Sequence, residues 1–173
     1  MAPDAPDWDA LLDAARALRA ALAAARMVAC AESCTGGLAA AAITALPGSS
    51  AWFERGVVTY SDRAKHELLG VDTDLLRRCG AVSEEVARAM ASGLLRVAPV
   101  DAALSITGIA GPDGGSADKP VGLVWFGWAW RDSGGMQVHA QSRVWSGDRS
   151  AVRMASAQHA LLGLALRLAP PAR

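Results

Sequence analysis

The chain has 173 residues, 52% of them hydrophobic and 20% charged, with 17 basic and 17 acidic side chains. This length and composition predict one compact domain, and the balanced charge argues against nucleic acid as a partner. Because the chain has neither an apolar run long enough to span a bilayer nor the pattern of a signal peptide, we expect a cytoplasmic protein without a membrane partner.

Helix and strand patterns alternate along the first half of the chain. Asp7 is expected to cap the first helix, and the pair Pro47 and Gly48 to end the second. The predicted elements are a helix carrying Leu11, Leu12, Ala15, Leu18 and Leu22, a strand at 27–31, a helix at 38–46, a strand at 57–60, and a short helix capped by Ser61 or Asp62 that runs to Leu69.

The second half predicts a hairpin followed by a long helix. Its elements are a helix from 84 to about 97 capped by Ser83, a strand at 101–107, a glycine-rich loop at 108–122, a strand at 123–130, a hairpin partner at 137–145, and a last helix capped by Ser146 or Asp148 that reaches about residue 168. In that helix the core-facing residues are predicted to be Val152, Ala155, Leu161, Leu162, Leu164 and Leu168.

This alternation predicts an α/β fold, a three-layer α/β/α sandwich built on a mixed, mostly parallel sheet. The domain is expected to cover residues 7–169, with frayed termini at 1–6 and 170–173. The three cysteines have no C-x-x-C spacing, which favours reduced thiols over a disulfide framework or a zinc site.

Ligands of open α/β sheets bind outside the carboxyl ends of the strands, and three loops qualify here: 32–37, 60–65 and 107–119. The first holds the stretch AESCTGG, for which three interpretations stay open. It could cradle a phosphate, although it lacks the Walker spacing; it could present a nucleophile; or Ser or Thr could simply cap the next helix.

A serine nucleophile needs a base. Of the three histidines, His139 and His159 are expected to be structural, whereas Lys65 follows a strand end and could act as a base if burial, or a neighbouring cation such as Arg63 or Arg149, lowered its pKa. The alternative is a solvated surface lysine. Cys34 is a rival nucleophile with no evident imidazole partner except His66.

The remaining candidates would bind anions. Gly108, Gly111, Gly114 and Gly115 could form a nest of backbone donors beside Thr107, or a flexible connection. Arg149 and Arg153 lie four residues apart and could hold a phosphate together, or remain surface residues. Trp125, Trp128 and Trp130 occupy a strand that is apolar on both faces, which favours packing in the core over stacking on a ligand.

Several longer motifs occur in order: AESCTGG, PGSSAWFERGVVTYS, GAVSEEVA, TGIAGPDGGS, KPVG and GDR. Together they resemble the competence/damage-inducible CinA C-terminal family, whose enzymatic members are nicotinamide-nucleotide amidases. The resemblance runs from about residue 11 to residue 168 and covers nearly the whole chain. The two-domain proteins of this family carry an additional N-terminal domain, so the chain resembles the stand-alone amidases.

The resemblance implies hydrolysis of the carboxamide of nicotinamide mononucleotide, with Ser33 and Lys65 as the catalytic pair and no metal or organic cofactor. The residues expected to bind substrate or the oxyanion are Cys34, Thr35, Gly36, Gly37, Tyr60, Thr107, Gly108, Gly111 and Arg149. The expected partners are the nucleotide substrate and further copies of the chain in a homo-oligomer. The alternative is a non-catalytic nucleotide-binding or regulatory module of the same family.

Overall fold

The structure, a computed structural model, describes residues 7–23 and 26–169. The termini at 1–6 and 170–173, for which fraying was predicted, lie outside the described residues. The elements are α1 (Trp8–Ala21), β1 (Val28–Glu32), α2 (Leu38–Thr44), β2 (Phe53–Val58), α3 (Asp62–Leu69), α4 (Thr73–Cys79), α5 (Glu84–Val97), β3 (Ala102–Gly108), β4 (Leu123–Asp132), β5 (Gly135–Val144) and α6 (Arg149–Leu168).

The helix starts follow from side-chain caps. Asp7 accepts a hydrogen bond from the Ala10 N–H group at the start of α1, and Ser83 caps α5 as predicted. Where the sequence left two candidates, the structure places Ser61 at the N-cap of α3 and Asp148 at the N-cap of α6. Each cap satisfies one of the backbone donors that the first helical turn leaves unpaired.

The five described strands form one sheet in the order β2-β1-β3-β4-β5. β1 is parallel to β2 and to β3, β4 is antiparallel to β3, and β5 is antiparallel to β4, so β4 alone among these strands runs against the others. The predicted mixed, mostly parallel sheet is confirmed. The parallel strands β1, β2 and β3 therefore end at the same edge, where the loops after them meet.

Helices cover both faces of the sheet. The side chains of Val28 and Cys30 on β1 pack into a core with α1, α2 and α6, whereas Ala29 and Ala31 point to the opposite core with α5. β1 is thus buried on both faces, as its continuous apolar run predicts. The three-layer α/β/α sandwich is confirmed. No helix within the described ranges is both long and apolar enough to cross a membrane.

Three sequence predictions about the elements were wrong. β2 covers Phe53–Val58 rather than 57–60, because an edge strand tolerates the charged pair Glu54 and Arg55. Helix α4 was missed, since only its Leu76 is buried and its apolar pattern is short. Leu162 is 42% exposed, because one residue beyond the buried Leu161 the helix has turned by about 100°.

Trp128 anchors α6 to the sheet. Its indole is fully buried, stacks on Phe126, and donates a hydrogen bond from Nε1 to the Ala160 carbonyl at 2.9 Å. The prediction that this tryptophan packs in the core is confirmed, while Trp125 and Trp130 are only half-buried. Gly163 faces the same indole, and a methyl group there would overlap with its ring atoms.

We expect Gly163→Ala to destabilise the protein by about 1–3 kcal/mol, because overpacking against Trp128 outweighs the roughly 1 kcal/mol that alanine gains in helix propensity. Urea denaturation followed by circular dichroism measures the change. The control is Leu162→Ala on the exposed side of the same helix, which should change stability by less than about 0.5 kcal/mol. A Gly163→Ala protein more stable than the wild type would contradict the packing argument.

Candidate active site

A cavity of about 280 Å³ opens at the edge where β1, β2 and β3 end. Of the predicted site residues, eight line it: Ser33, Cys34, Tyr60, Lys65, Thr107, Gly108, Gly111 and Arg149. A larger hollow of about 540 Å³ adjoins this cavity at Val82, but none of the predicted site residues lines it. The chemistry suggested by the sequence is therefore concentrated in the smaller cavity.

Lys65 reaches Ser33 across 32 positions of sequence. Its Nζ atom lies 3.3 Å from the Ser33 Oγ atom, and it donates hydrogen bonds to the carbonyls of Thr59 at 2.9 Å and Tyr60 at 3.2 Å. Lys65 is 1% exposed and Ser33 is 8% exposed. The alternative of a solvated surface lysine is therefore excluded for this conformation.

The environment of Lys65 favours the neutral amine. Burial lowers the pKa of Lys65 from its ordinary value, and the carboxylate of Asp62 and the Cys34 side chain act weakly in the opposite direction. A neutral amine has two N–H bonds and one lone pair. With the two N–H bonds directed at the Thr59 and Tyr60 carbonyls, the lone pair is left for the Ser33 hydroxyl proton.

The neighbouring cation proposed from the sequence does not account for this pKa. Arg63 is exposed to solvent and pairs with Glu67 on the next turn of α3. Arg149 lines the cavity, but its guanidinium donates to the Gly111 carbonyl at 2.8 Å and to the Tyr60 hydroxyl at 3.2 Å. Burial is the main cause that lowers the pKa of Lys65, which is the first of the two causes that the sequence analysis considered.

The contacts of Glu32 decide between the interpretations of the stretch AESCTGG. Its buried carboxylate accepts hydrogen bonds from the N–H groups of Gly37 at 3.1 Å, Ala39 at 3.2 Å and Ala40 at 2.9 Å. A negative charge of the protein itself therefore occupies the positive end of α2. Of the three interpretations left open, the structure contradicts both the phosphate cradle and a cap by Ser or Thr, because the N–H groups at the start of α2 are bonded to Glu32.

Thr35, Gly36 and Gly37 were predicted to bind substrate or the oxyanion, and the structure corrects all three predictions. Thr35 is fully buried, the Gly36 N–H group donates to the Ser33 carbonyl at 3.1 Å, and the Gly37 N–H group is bonded to Glu32. None of these three residues lines the cavity. They shape the turn that carries Ser33, and Gly37 adopts φ +100°, a left-handed conformation that favours glycine.

Arg149 and Arg153, predicted to hold a phosphate together, point to different places. Arg149 faces the cavity, whereas Arg153 points to the outside of the Ser33 turn and donates to the carbonyls of Cys34 at 3.1 Å and Thr35 at 2.9 Å. The two side chains thus do not converge on one phosphate. Sequence spacing placed them on one face of α6 but could not show that the turn after β1 lies against that face.

The glycine-rich loop contributes the far wall. Thr107 donates its hydroxyl to the Ala81 carbonyl at 2.8 Å, so it braces the wall rather than pointing a free hydroxyl at a ligand. Gly114 lines the cavity with Gly108 and Gly111, but Gly115 does not. The sequence analysis missed further lining residues, namely Ala81, Val82, Ile109, Ala110 and Asp113. Of these, Asp113 carried a signal, as the acidic residue inside a glycine-rich loop at a strand end.

The rival nucleophile and the histidines are poorly placed for catalysis. Burial raises the pKa of the Cys34 thiol to about 12, so the reactive thiolate is scarce at neutral pH. His159 on α6 packs against the rings of Phe126 and Trp128, where burial lowers its pKa to about 4. None of the three histidines, all within the described part of the chain, lines the cavity.

Comparison with known proteins shows the family of this chain. Residues 13–168 match the family model of the CinA C-terminal domain. The chain belongs to the CinA C-terminal domain family.

Relatives in this family include stand-alone enzymes and longer proteins. The chain is 59% identical over 134 residues to a nicotinamide-nucleotide amidohydrolase PncC of Enterobacter agglomerans, covering 78% of this chain and 80% of that protein. It is 53% identical over 131 residues to the PncC of Escherichia coli K12, covering 76% and 78%. A CinA-like protein of Akkermansia muciniphila is 52% identical over 134 residues, but the match covers 78% of this chain and only 32% of that longer protein.

Solved structures of the family share the fold. The competence/damage-inducible protein from Agrobacterium tumefaciens superposes with a TM-score of 0.84 at 42% identity, covering 94% of this chain and 96% of the other. A CinA superfamily protein from Escherichia coli gives a TM-score of 0.84 at 35% identity, covering 96% and 95%. The sandwich described above is therefore that of the family.

We expect Glu32→Ala to destabilise the protein by about 3 kcal/mol, because three backbone donors at the start of α2 lose their buried acceptor. Glu32→Gln, which keeps one oxygen, should lose less. Urea denaturation measures both changes, and Glu67→Ala, at an exposed ion pair, serves as the control with a loss below about 0.5 kcal/mol. If Glu32→Ala were as stable as the wild type, the capping role would be refuted.

Proposed function

We propose that this chain is a nicotinamide-nucleotide amidase, which hydrolyses the carboxamide of nicotinamide mononucleotide to nicotinate mononucleotide and ammonia in pyridine nucleotide recycling. The observation that carries the proposal is the approach of a buried lysine amine to a serine hydroxyl, 3.3 Å between Lys65 Nζ and Ser33 Oγ. The names of the Enterobacter and Escherichia relatives support the choice of substrate.

In the first step, the Ser33 oxygen attacks the carboxamide carbon while its proton moves to the lone pair of neutral Lys65. A C–O bond forms and the carbonyl oxygen becomes an oxyanion. The new ammonium group of Lys65 has three N–H bonds, two of them already directed at the Thr59 and Tyr60 carbonyls. These carbonyls stabilise the charge that appears on the buried amine.

The oxyanion needs preorganised donors. The backbone N–H group of Cys34 directly follows the nucleophile, belongs to a residue that lines the cavity, and makes no hydrogen bond to another residue of the described ranges. The opposite wall, from Gly108 to Gly111, would supply a second donor, and the Gly111 N–H group is likewise unpaired within those ranges. We assign the oxyanion to these two walls and no longer to the Gly36 and Gly37 N–H groups.

Breakdown of the tetrahedral intermediate returns the proton. The C–N bond breaks, the Lys65 ammonium protonates the departing amine, and ammonia leaves behind an acyl group on Ser33. Water then attacks the acyl carbon with Lys65 again as the base, which releases the carboxylic acid and regenerates the Ser33 hydroxyl.

The phosphate of the substrate would bind to Arg149 at the mouth of the cavity. This guanidinium sits at the first position of α6 and contacts the Tyr60 hydroxyl, so it links two walls of the entrance. Binding energy from the phosphate would orient the amide at Ser33. The proposed enzyme is a cytoplasmic homo-oligomer without metal or organic cofactor.

Purified protein should release ammonia and nicotinate mononucleotide from nicotinamide mononucleotide, and Ser33→Ala or Lys65→Met should lower kcat by at least about 10³-fold, because each removes one member of the reacting pair. Both products are measured, by a coupled ammonia assay and by chromatography. The control is Lys119→Met, since Lys119 is the other lysine of the chain and donates to the Cys79 carbonyl outside the cavity.

Two outcomes would reject the proposal. Binding of the nucleotide without ammonia release would favour the alternative, a non-catalytic nucleotide-binding module. Full activity of Ser33→Ala together with loss of activity in Cys34→Ala would transfer the reaction to the thiol.

The pH dependence should report the neutral form of Lys65. Since the base must be unprotonated, kcat/KM should rise with pH and level off above the pKa of Lys65, which burial places below its ordinary value of 10.5. Asp62→Asn removes a carboxylate that raises this pKa, so the midpoint should move to lower pH with the plateau unchanged. A midpoint that moves to higher pH would contradict this assignment of the base.

A further inference from the structure

A chain of hydrogen-bonded peptide groups connects Arg153 to the cavity. The Arg153 guanidinium donates to the Thr35 carbonyl at 2.9 Å. The same peptide group carries the Gly36 N–H group, which donates to the Ser33 carbonyl at 3.1 Å. The peptide group of that carbonyl carries the N–H group of Cys34, a residue that lines the cavity.

Each link in this chain fixes the orientation of the next. A peptide group is planar and trans, so the direction of its carbonyl determines the opposite direction of its N–H bond. Arg153 holds the Thr35 carbonyl, and it also holds the Cys34 carbonyl at 3.1 Å through Nε, so two consecutive carbonyls of the turn are gripped by one planar fork. The turn cannot rotate about these peptides without breaking a charge-assisted hydrogen bond.

We propose that Arg153 is a positioning residue for catalysis, which orients and polarises the Cys34 N–H group, the oxyanion donor, through the two intervening peptide groups. The assignment of Cys34 as that donor rests on the proposed amidase function. Arg153 itself does not line the cavity and touches no reacting atom.

Polarisation follows from the direction of the chain. A cation at the carbonyl end draws electron density along each peptide group, and hydrogen bonds in such a chain strengthen one another. The Cys34 N–H bond at the far end therefore becomes a stronger donor. This benefit is largest when the substrate oxygen is negatively charged, which happens in the transition state and not in the bound substrate.

Glu32 holds the turn from the other side. Its carboxylate binds the N–H groups of Gly37, Ala39 and Ala40, whereas Arg153 binds carbonyls at the start of the turn. The two side chains thus hold the turn at residues 33–37 from both sides. The carboxylate of Glu32 accepts from N–H groups, and the guanidinium of Arg153 donates to carbonyls. Glu32 keeps the helix donors occupied, so we take the N–H group of Cys34, which has no partner in another described residue, as the donor that this turn offers to the cavity.

The kinetic test compares Arg153→Met and Arg153→Lys with the wild type. Arg153→Met should lower kcat by about 10- to 100-fold and change KM by less than about 3-fold, because loss of a whole oxyanion donor costs about 10²- to 10³-fold in kcat. Arg153→Lys keeps the charge without the fork and should recover part of the loss. The matched control is Arg167→Met on the same helix, whose guanidinium donates to the Gly163 carbonyl and stacks on Trp128, far from the turn.

A second measurement does not depend on turnover. In amide NMR spectra, Arg153→Met should move the Cys34 and Gly36 amide protons upfield together, Arg153→Lys should return both part of the way, and Arg167→Met should leave both in place. If the wild type released no ammonia, the amidase proposal would fail. The chemical shifts would still show whether Arg153 polarises the Cys34 N–H bond through the two peptide groups. Should Arg153→Met not fold, Arg153→Lys carries both measurements.

The proposal is overturned if Arg153→Met raises KM at constant kcat, which would make Arg153 a substrate-binding residue. It is also overturned if kcat per folded molecule equals that of the wild type, or if the Cys34 amide proton does not move when that of Gly36 does. A parallel fall in kcat and upfield shift at Cys34, with partial recovery in Arg153→Lys, supports it.

Discussion

The structure depends on an amine that is buried without a carboxylate partner. Removing Lys65 from water disfavours its charged form, and the direct hydrogen-bond acceptors of the amine are neutral groups, among them the carbonyls of Thr59 and Tyr60. Had a buried aspartate paired with this amine, it would remain charged and could not accept a proton from Ser33. The short loop between β2 and α3 makes the arrangement possible, because its residues Thr59 and Tyr60 supply the acceptors for a side chain of the helix that follows.

Opposite charges organise the turn that presents Ser33. Glu32 fills the positive end of α2, and Arg153 reaches across from α6 to the carbonyls at the start of the turn. The positive end of α2 therefore holds the turn, and the proposed substrate-binding groups are Arg149 and the glycine-rich loop. The same division explains why two arginines one helical turn apart on α6 differ in what they contact: one faces the cavity and the other faces the backbone beneath it.

Much of the fold could be predicted from the sequence, because its signals are local. Asp7 and Ser83 predicted helix starts, and the apolar runs of β1 and β4 predicted buried strands. Helix capping and the spacing of apolar residues depend on neighbours in the chain. The errors at β2 and Leu162 arose where the surroundings decide: an edge strand accepts Glu54 and Arg55, and a helix position is buried only if something covers it.

For the candidate site, the sequence by itself determined the inventory: a serine and a cysteine after one strand, a lysine after the next, and a glycine-rich loop after a third, with the family resemblance selecting Ser33 and Lys65 from among the open possibilities. Only the tertiary structure decided that Lys65 Nζ lies beside Ser33 Oγ and that Lys65 is buried. It also decided that Glu32 occupies the N–H groups that could have bound a phosphate. The physical reason is that burial, pKa and the partner of a hydrogen bond are set by residues distant in sequence, which pattern and spacing do not record.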